Sequence, residues 1–194
     1  LDLAVIALLQ IAAMAFGLQA IWQSRPVYLV AVVDRFELVF ANEIDAKDLR
    51  AAPERFRSLP WLGPRLVAAP LPEDPSKRQE LMFETLGSGK DLEVLPQHYV
   101  PYRDASRALM EHALSAREFV ARLAPTAARK FTAAIAGRPV SGLSVLPISS
   151  SRGDATMVLD ATGSPQKPVA VDPWPVFNTV VTPGTPAVDG AKPQ

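Results

Sequence analysis

The chain opens on a long stretch without charge, and this stretch constrains its fold more than any other feature. Residues 3–24 carry no acidic or basic side chain, and the charged residues on either side are Asp2 and Arg25. A helix over these residues is about 33 Å long, close to the thickness of the hydrocarbon core of a bilayer. A buried helix of a soluble domain is usually shorter and keeps one polar face. The stretch therefore predicts a helix that spans a membrane.

The few polar side chains within the stretch do not form a polar face. Gln10 and Gln19 are nine positions apart, which places them on opposite sides of a helix. Trp22 lies near one end, where an indole suits the membrane interface, and Arg25 ends the uncharged run. We therefore assign residues 1–25 to a transmembrane helix.

Two further kinds of apolar N-terminal segment, a signal peptide and a pilin helix, fit the residues less well. A cleaved signal peptide would have a basic start, a shorter apolar region and a small-x-small cleavage site, whereas this chain starts with Leu-Asp and has no clear cleavage site before Arg25. A type IV pilin would have Glu as the fifth residue of its mature helix, and this position is Val5. Because the first residue is Leu1 rather than Met, we expect the chain to be part of a longer protein in which further spans precede it.

Two small residues in the stretch are candidates for contact with another helix. Ala13 and Gly17 are four positions apart, so they lie on one face of the helix and would let a neighbouring helix approach closely. The alternative is that both are present only because small residues are common in membrane helices. We retain Ala13 and Gly17 as candidate partner-binding residues.

Composition narrows what the rest of the chain can bind. Lysine plus arginine and aspartate plus glutamate number 20 each, so the formal net charge is zero, and no basic block indicates a nucleic-acid partner. The absence of cysteine excludes disulfides, thiolate metal sites and cysteine nucleophiles. Prolines cluster near the C-terminus, so residues 175–194 are predicted to be a disordered tail. Residues 26–174 are predicted to form one domain.

The spacing of apolar residues in this domain changes from strand-like to helical and back. β-branched runs predict an early pair of strands, as a hairpin or one long bent strand, and a later meander. The predicted strands are residues 27–33, 36–41, 65–71, 143–148, 155–161 and 168–172. The predicted helices are residues 43–52, 74–87, 104–123 (either continuous or divided at a capping box of Ser115 and Glu118) and 125–137. The fold class is therefore α+β, with an antiparallel sheet that early and late strands share and a helical middle.

The clearest helix signal is the segment EDPSKRQELMFETLGSG. Asp74 is the predicted N-cap, Pro75 fits the first turn, and Gly87 is predicted to end the helix in a left-handed conformation. We expect one stripe of this helix to be buried. Its members are Leu81, Met82, Thr85 and Leu86.

No residue pattern predicts catalysis. The segment GSGK at 87–90 resembles a phosphate-binding loop, but Glu84 and Asp91 occupy positions that need glycine and a hydroxyl residue. His98 and His112 are fourteen residues apart and match no zinc motif. No serine lies in a G-x-S-x-G elbow. We therefore predict no enzymatic activity, no cofactor and no metal site.

The segment PQHYVPYRD, residues 96–104, is a candidate contact surface. Its two prolines favour extended backbone, and Tyr99 and Tyr102 are of a type enriched in protein interfaces. The alternative is a loop whose aromatic rings pin it to the core. Tyr99 and Tyr102 complete the set of candidate partner-binding residues.

Several segments together resemble a known family. The apolar helix runs directly into RPVYLVAVVDRFELV, and PWLGPRLVAAPLPEDP, YVPY and a final VDPW follow. From residue 1 to about residue 174, the chain resembles the type IV pilin accessory proteins of the TfpX/TfpZ group. The tail after Trp174 lies outside the resemblance.

The resemblance implies a role in type IV pilus biogenesis. In that group a helix similar to residues 3–24 is the last of several membrane spans, and a periplasmic domain follows it. The chain is thus expected in the bacterial inner membrane, where it would assist the major pilin as a non-enzymatic chaperone or assembly factor. Pilin and other inner-membrane pilus components are the implied partners, and no catalytic residue is carried over.

The residues themselves leave two other classes open. An extracytoplasmic sensor or ligand-binding domain would also follow a membrane span, and it would show a pocket with convergent polar groups. A membrane-anchored enzyme would need a cluster of titratable residues with perturbed pKa values, and no pattern in the sequence indicates such a cluster.

Overall fold

The apolar N-terminal stretch forms a single helix, α1 (Asp2–Gln23), in the computed structural model, which describes residues 2–136, 138 and 140–179. By length and hydropathy Leu3–Gln23 could cross a membrane, although a signal sequence would pass the same test. None of this span is buried inside the protein. A bilayer could therefore surround α1 on all sides, because its backbone groups are satisfied within the helix.

In the described part of the chain, eight strands form one sheet. They are β1 (Pro26–Ala31), β2 (Phe36–Phe40), β3 (Arg65–Ala68), β4 (Val100–Pro101), β5 (Leu114–Ser115), β6 (Ser144–Ser149), β7 (Ala155–Leu159) and β8 (Pro165–Val169). Their order is β4-β3-β1-β2-β6-β7-β8, and β5 also pairs with β6. The early strands form a hairpin, and early and late strands share the sheet because β2 lies beside β6.

Apart from α1 and one short C-terminal helix, the helices lie in the middle of the chain, as predicted for an α+β fold. They are α2 (Ala46–Ala51), α3 (Pro75–Ser88), α4 (Ser106–Met110), α5 (Ala116–Arg122), α6 (Pro125–Ala134) and α7 (Trp174–Phe177). Short 3-10 helices are Ala41–Glu43, Glu54–Phe56, Leu92–Val94, Pro96–His98 and Tyr102–Asp104. The divided form of the 104–123 segment is correct, because β5 separates α4 from α5. The Ser115 hydroxyl oxygen accepts a hydrogen bond from the Glu118 amide at 3.2 Å and caps α5.

The sheet is mixed rather than antiparallel throughout, which corrects one detail of the prediction. The β1–β2, β6–β7 and β7–β8 pairs are antiparallel, but β3 runs parallel to β1 and β6 runs parallel to β2. Parallel neighbours need a long crossover. The segment containing α2 supplies the crossover before β3, and the whole helical middle supplies the crossover before β6.

The core occupies both faces of the sheet because successive residues of a strand point to opposite faces. On one face a single cluster runs across β1, β2, β6 and β7, and α4 contributes Leu109 to it. On the other face the β1 side packs around Tyr28 and Phe56. The β6–β8 side of that face is covered by α5 and α6, whose Phe119 and Phe131 rings meet edge to face at 5.2 Å.

Helix α3 begins as predicted but ends and packs differently. The Asp74 carboxylate accepts a hydrogen bond from the Ser76 amide at 2.8 Å and caps the helix. The left-handed residue that ends it is Gly89, with φ 65°, rather than Gly87. Of the expected buried stripe only Leu81 is buried, because α3 rests on the domain by one edge.

The folded domain continues past the predicted boundary at residue 174. Val176 in α7 is fully buried in the cluster beneath α5 and α6, and Phe177 packs against the same cluster. Residues 180–194, the rest of the predicted tail, and Gly137, the predicted end of α6, lie outside the described residues.

Two glycines with positive φ allow a matched stability test. Gly163 has φ 79°, and a Cβ there would lie 2.9 Å from Met110 Cγ, whereas Gly89 has φ 65° and nothing within 4 Å. We expect Gly89→Ala to cost about 1 kcal/mol for the left-handed backbone. Gly163→Ala should cost about 2–3 kcal/mol, because Met110 must also move. Denaturant unfolding of both variants measures the difference, and equal costs would show that Met110 yields freely.

Candidate functional site

The predicted helix-contact residues lie on an open face of α1. Ala13 and Gly17 are one helical turn apart, and a Cβ placed on Gly17 would meet no atom within 4 Å. No part of the described domain covers this face, because none of the span is buried. A second helix could therefore approach closely here, as the prediction requires.

Tyr99, the first predicted contact tyrosine, belongs to the core. It is 2% exposed, and its ring meets the Tyr28 and Phe56 rings edge to face at centroid distances of 5.1 and 5.9 Å. Its hydroxyl donates a hydrogen bond to the Glu93 carbonyl oxygen. Burial raises the pKa of Tyr99 well above its usual value. A partner cannot reach this ring without opening the core, so Tyr99 fits the pinned-loop alternative.

Tyr102 pins the other end of the same segment. Its ring lies 5.9 Å from that of Phe36, and its hydroxyl donates a hydrogen bond to the Gly163 carbonyl oxygen. Burial raises the pKa of Tyr102 to about 12. The side chain is half-buried, so most of its surface is already used within the domain. The described contacts of Tyr102 are therefore those of a structural residue.

A groove of about 540 Å³ lies between the β1–β2 hairpin tip and α3. We call it the hairpin-tip groove. Apolar side chains form much of its wall, and charged groups from three separate segments meet in it. Its lining includes Val33, Arg35, Arg78, Met82, Asp91 and Glu93.

Two carboxylates at or near the hairpin-tip groove, those of Glu37 and Glu93, are poorly solvated. Arg35 Nε donates to Glu37 Oε1 at 2.6 Å, so this arginine is already engaged. Burial raises the pKa of Glu93 to about 7, and the nearby charges of Glu37 and Asp91 add to the rise while Arg35 opposes it. Burial also raises the pKa of Glu37, although Arg35 opposes the rise. The charge of the Glu93 carboxylate is thus only partly balanced by Arg35, so a cation or a hydrogen-bond donor that enters the groove could interact with it.

The outer face of α3 is apolar and exposed. Met82, Phe83 and Leu86 span an arc of about 100° on the helix, and Phe83 and Leu86 are 63% and 71% exposed. We call these three residues the α3 apolar face. Contiguous apolar surface of this kind on a domain usually marks an interaction site.

Polar contacts hold α3 in place at its C-terminal half. Glu84 accepts a hydrogen bond from the Gln97 side chain at 3.0 Å and lies 3.0 Å from His98 Nε2. Just beyond the helix, Lys90 forms ion pairs with Asp45 and Asp48 at the start of α2. The apolar face is thus presented on a helix whose position is fixed by its opposite side.

Sequence reasoning missed both the groove and the α3 apolar face. The run Leu81-Met82-Phe83 could have indicated the α3 apolar face. Three consecutive apolar residues cover a wider arc of a helix than one buried stripe, so some of them must be exposed. The groove had no local signal, because Arg35 and Glu93 come from distant segments.

Among the described residues, no group of three histidine or acidic side chains is placed to hold a metal ion. Comparisons with protein-family models, curated proteins and solved structures find no significant match to this chain.

Proposed function

We propose that this protein is a membrane-anchored, non-enzymatic accessory factor of type IV pilus biogenesis, which holds pilin before or during assembly. The observation that carries the proposal is the junction between α1 and the sheet. Only Ser24 and Arg25 separate α1 from β1. The Ser24 hydroxyl donates to the Ala20 carbonyl at 2.6 Å, and the Arg25 carbonyl accepts from the Ala41 amide at 3.0 Å.

Such a junction couples a membrane contact to a domain contact. A pilin that waits in a membrane has an apolar helix and a soluble head, so a partner that touches both gains from a high effective concentration. In the proposal, Ala13 and Gly17 meet the pilin helix, and the α3 apolar face meets the pilin head. The buried Tyr99 and the half-buried Tyr102 are not assigned to the interface.

The family resemblance supplies the rest of the proposal. It supports placement in the bacterial inner membrane with the domain in the periplasm. It also supports the major pilin as the first partner and other inner-membrane pilus components as further partners. The net charge of zero and the absence of a basic block support a partner other than nucleic acid.

Complementation of a strain deleted for the gene tests this function. We expect the deletion to lower pilin abundance and surface piliation, and the full-length wild-type gene to restore both. Ala13→Ile should restore less and should co-purify about tenfold less pilin, because the added side chain blocks close helix approach at the proposed face. The measurements are immunoblots of pilin, piliation by microscopy and pilin recovery with the tagged protein.

Ala15→Ile is the matched control, because it adds the same atoms on the opposite face of α1. It should complement and co-purify pilin as the wild type does. Unchanged pilin and pili in the deletion strain would refute the proposed function. Equal loss in both variants would refute the assignment of the Ala13–Gly17 face.

The hairpin-tip groove favours a second candidate function, an extracytoplasmic ligand-binding domain. Charged groups of Arg35, Arg78 and Glu93 converge there on an apolar wall, as ligand sites require. A thermal-shift screen of small cationic and amphipathic molecules tests it. A ligand that stabilises the wild type but not Glu93→Gln would support this function, and a screen without such a ligand would count against it.

A further inference from the structure

The segment Pro60-Trp61-Leu62-Gly63-Pro64, which we call the Trp61 loop, exposes two large apolar side chains. Trp61 is 77% exposed and Leu62 is 94% exposed. Gly63 has φ 62°, and together with the flanking prolines it shapes a turn with these two side chains at its tip. Side chains of this size at a loop tip are unfavourable in water unless something else covers them.

The register of the sheet places this loop beside the end of α1. Strand β3 runs parallel to β1, and Arg65, its first residue, is paired with Tyr28. The residues just before Arg65 therefore lie level with Pro26, where the chain leaves α1. The loop thus approaches the edge of the sheet at which a membrane containing α1 would begin.

Direct contacts hold the loop against the last turn of α1. The Trp61 and Trp22 rings meet edge to face at a centroid distance of 5.2 Å. The Arg25 guanidinium lies 3.9 Å from the centroid of the Trp22 ring. Its Nη1 donates to the Trp22 carbonyl at 2.7 Å, and its Nε donates to the Pro60 carbonyl at 3.4 Å. Trp61 is therefore fixed at the depth of Trp22, which is the depth of an interfacial aromatic residue.

The charge around the loop suits an anionic lipid surface. Arginines at positions 25, 55, 57 and 65 lie at the end of α1 or within and beside the loop segment, where Glu54 is the accompanying acid. None of the four forms a salt bridge with a carboxylate in the described part of the chain. Basic side chains next to a membrane attract the phosphates of anionic phospholipids.

We propose that the Trp61 loop is a second membrane contact, which inserts Trp61 and Leu62 into the phospholipid headgroup region of the bilayer that α1 spans. This inference rests on the membrane anchoring in the proposed function. Contact of both α1 and the loop with the bilayer would define the orientation of the domain on the membrane more closely than contact of α1 alone. The α3 apolar face, beside the hairpin tip at the far end of β1, is then held away from the lipid.

Depth-resolved fluorescence quenching of the chain in vesicles tests the loop. The chain has no cysteine, so Leu62→Cys, Ala12→Cys and Leu86→Cys each accept one environment-sensitive fluorophore at an exposed position. The vesicles contain phosphatidylcholine with a minority of phosphatidylglycerol, and nitroxide lipids carry the quencher near the headgroup or deep in the acyl chain. We expect headgroup-level quenching at position 62 to be about twofold or more above that at position 86. The label at position 12 should be quenched by the deep nitroxide.

The position-12 label separates failure of the loop from failure of the anchor. Quenching at positions 12 and 62 together supports the proposal. Quenching at position 12, with position 62 no different from position 86, overturns the loop contact and leaves the membrane anchor standing. Absence of quenching at both positions 12 and 62 overturns the loop contact and the anchor together.

Discussion

Replacing Tyr99 by alanine is expected to destabilise the domain by about 3–5 kcal/mol, the usual cost of truncating a large buried aromatic side chain. The ring is 2% exposed and packs edge to face against Tyr28 and Phe56, so its removal leaves a cavity that rigid neighbours cannot fill. Its loss also leaves the Glu93 carbonyl without the hydroxyl that it accepts from. Denaturant unfolding of the detergent-solubilised chain, followed by circular dichroism, measures the change.

Tyr99→Phe is the control that keeps the ring and removes only the hydroxyl. It should cost about 1 kcal/mol, because one hydrogen bond is lost while the aromatic packing remains. A Tyr99→Ala variant that unfolds like the wild type but no longer binds pilin would contradict the structural role. That result would restore Tyr99 as a partner-binding residue.

Local signals account for the parts of the fold that the sequence predicts well. The Asp74 cap of α3 and the Ser115 cap of α5 each depend on a few neighbouring residues, and the length of α1 follows from one unbroken uncharged run. The hairpin of β1 and β2 is similarly local, because only four residues separate the strands. Each of these elements is specified by residues that are close together in the chain, so the linear order of residues is sufficient to predict them.

Non-local packing accounts for the differences. The apolar runs that form β3 and β6 could pair with their neighbours in either the parallel or the antiparallel direction. Their parallel pairing is therefore decided by the crossover connections and not by their own residues. The same limit applies to α3, whose apolar residues cover a wide arc. Which edge of that arc meets the core depends on where the hairpin tip lies, and only Leu81 reaches it.

The candidate site residues also divide into those that local sequence predicts and those that depend on non-local packing. Ala13 and Gly17 could be identified from spacing within one helix, and their exposure agrees with that interpretation. Tyr99 and Tyr102 could not be resolved from spacing, because the same proline-flanked segment suits an exposed surface or a pinned loop. Their hydroxyl groups donate hydrogen bonds to the carbonyl oxygens of Glu93 and Gly163, which lie outside this segment. Only the folded structure therefore shows that both tyrosines pin the loop.

Replacing Glu93 by glutamine is expected to stabilise the domain at pH 8 and to leave its stability unchanged at pH 4. Burial raises the pKa of Glu93 from 4.5 to about 7. A group whose pKa is higher in the folded state contributes stability below its unfolded pKa, and that contribution is lost as pH rises through the folded pKa. Between about pH 4.5 and 7 the wild type should therefore lose roughly 2–3 kcal/mol that the variant keeps, a figure that already allows for partial screening of the carboxylate by solvent.

Glutamine resembles the protonated carboxyl in size and in its capacity to donate a hydrogen bond, so the two proteins should coincide where Glu93 is protonated. Glu80→Gln, on the exposed side of α3, controls for the loss of one negative charge. The measurement is the free energy of unfolding of the three proteins from pH 4 to pH 8. A Glu93→Gln variant that is less stable than the wild type at pH 8 would contradict the prediction. It would mean that the Glu93 carboxylate is stabilised by Arg35 more than burial disfavours it, and that the hairpin-tip groove carries no uncompensated charge for a ligand to meet.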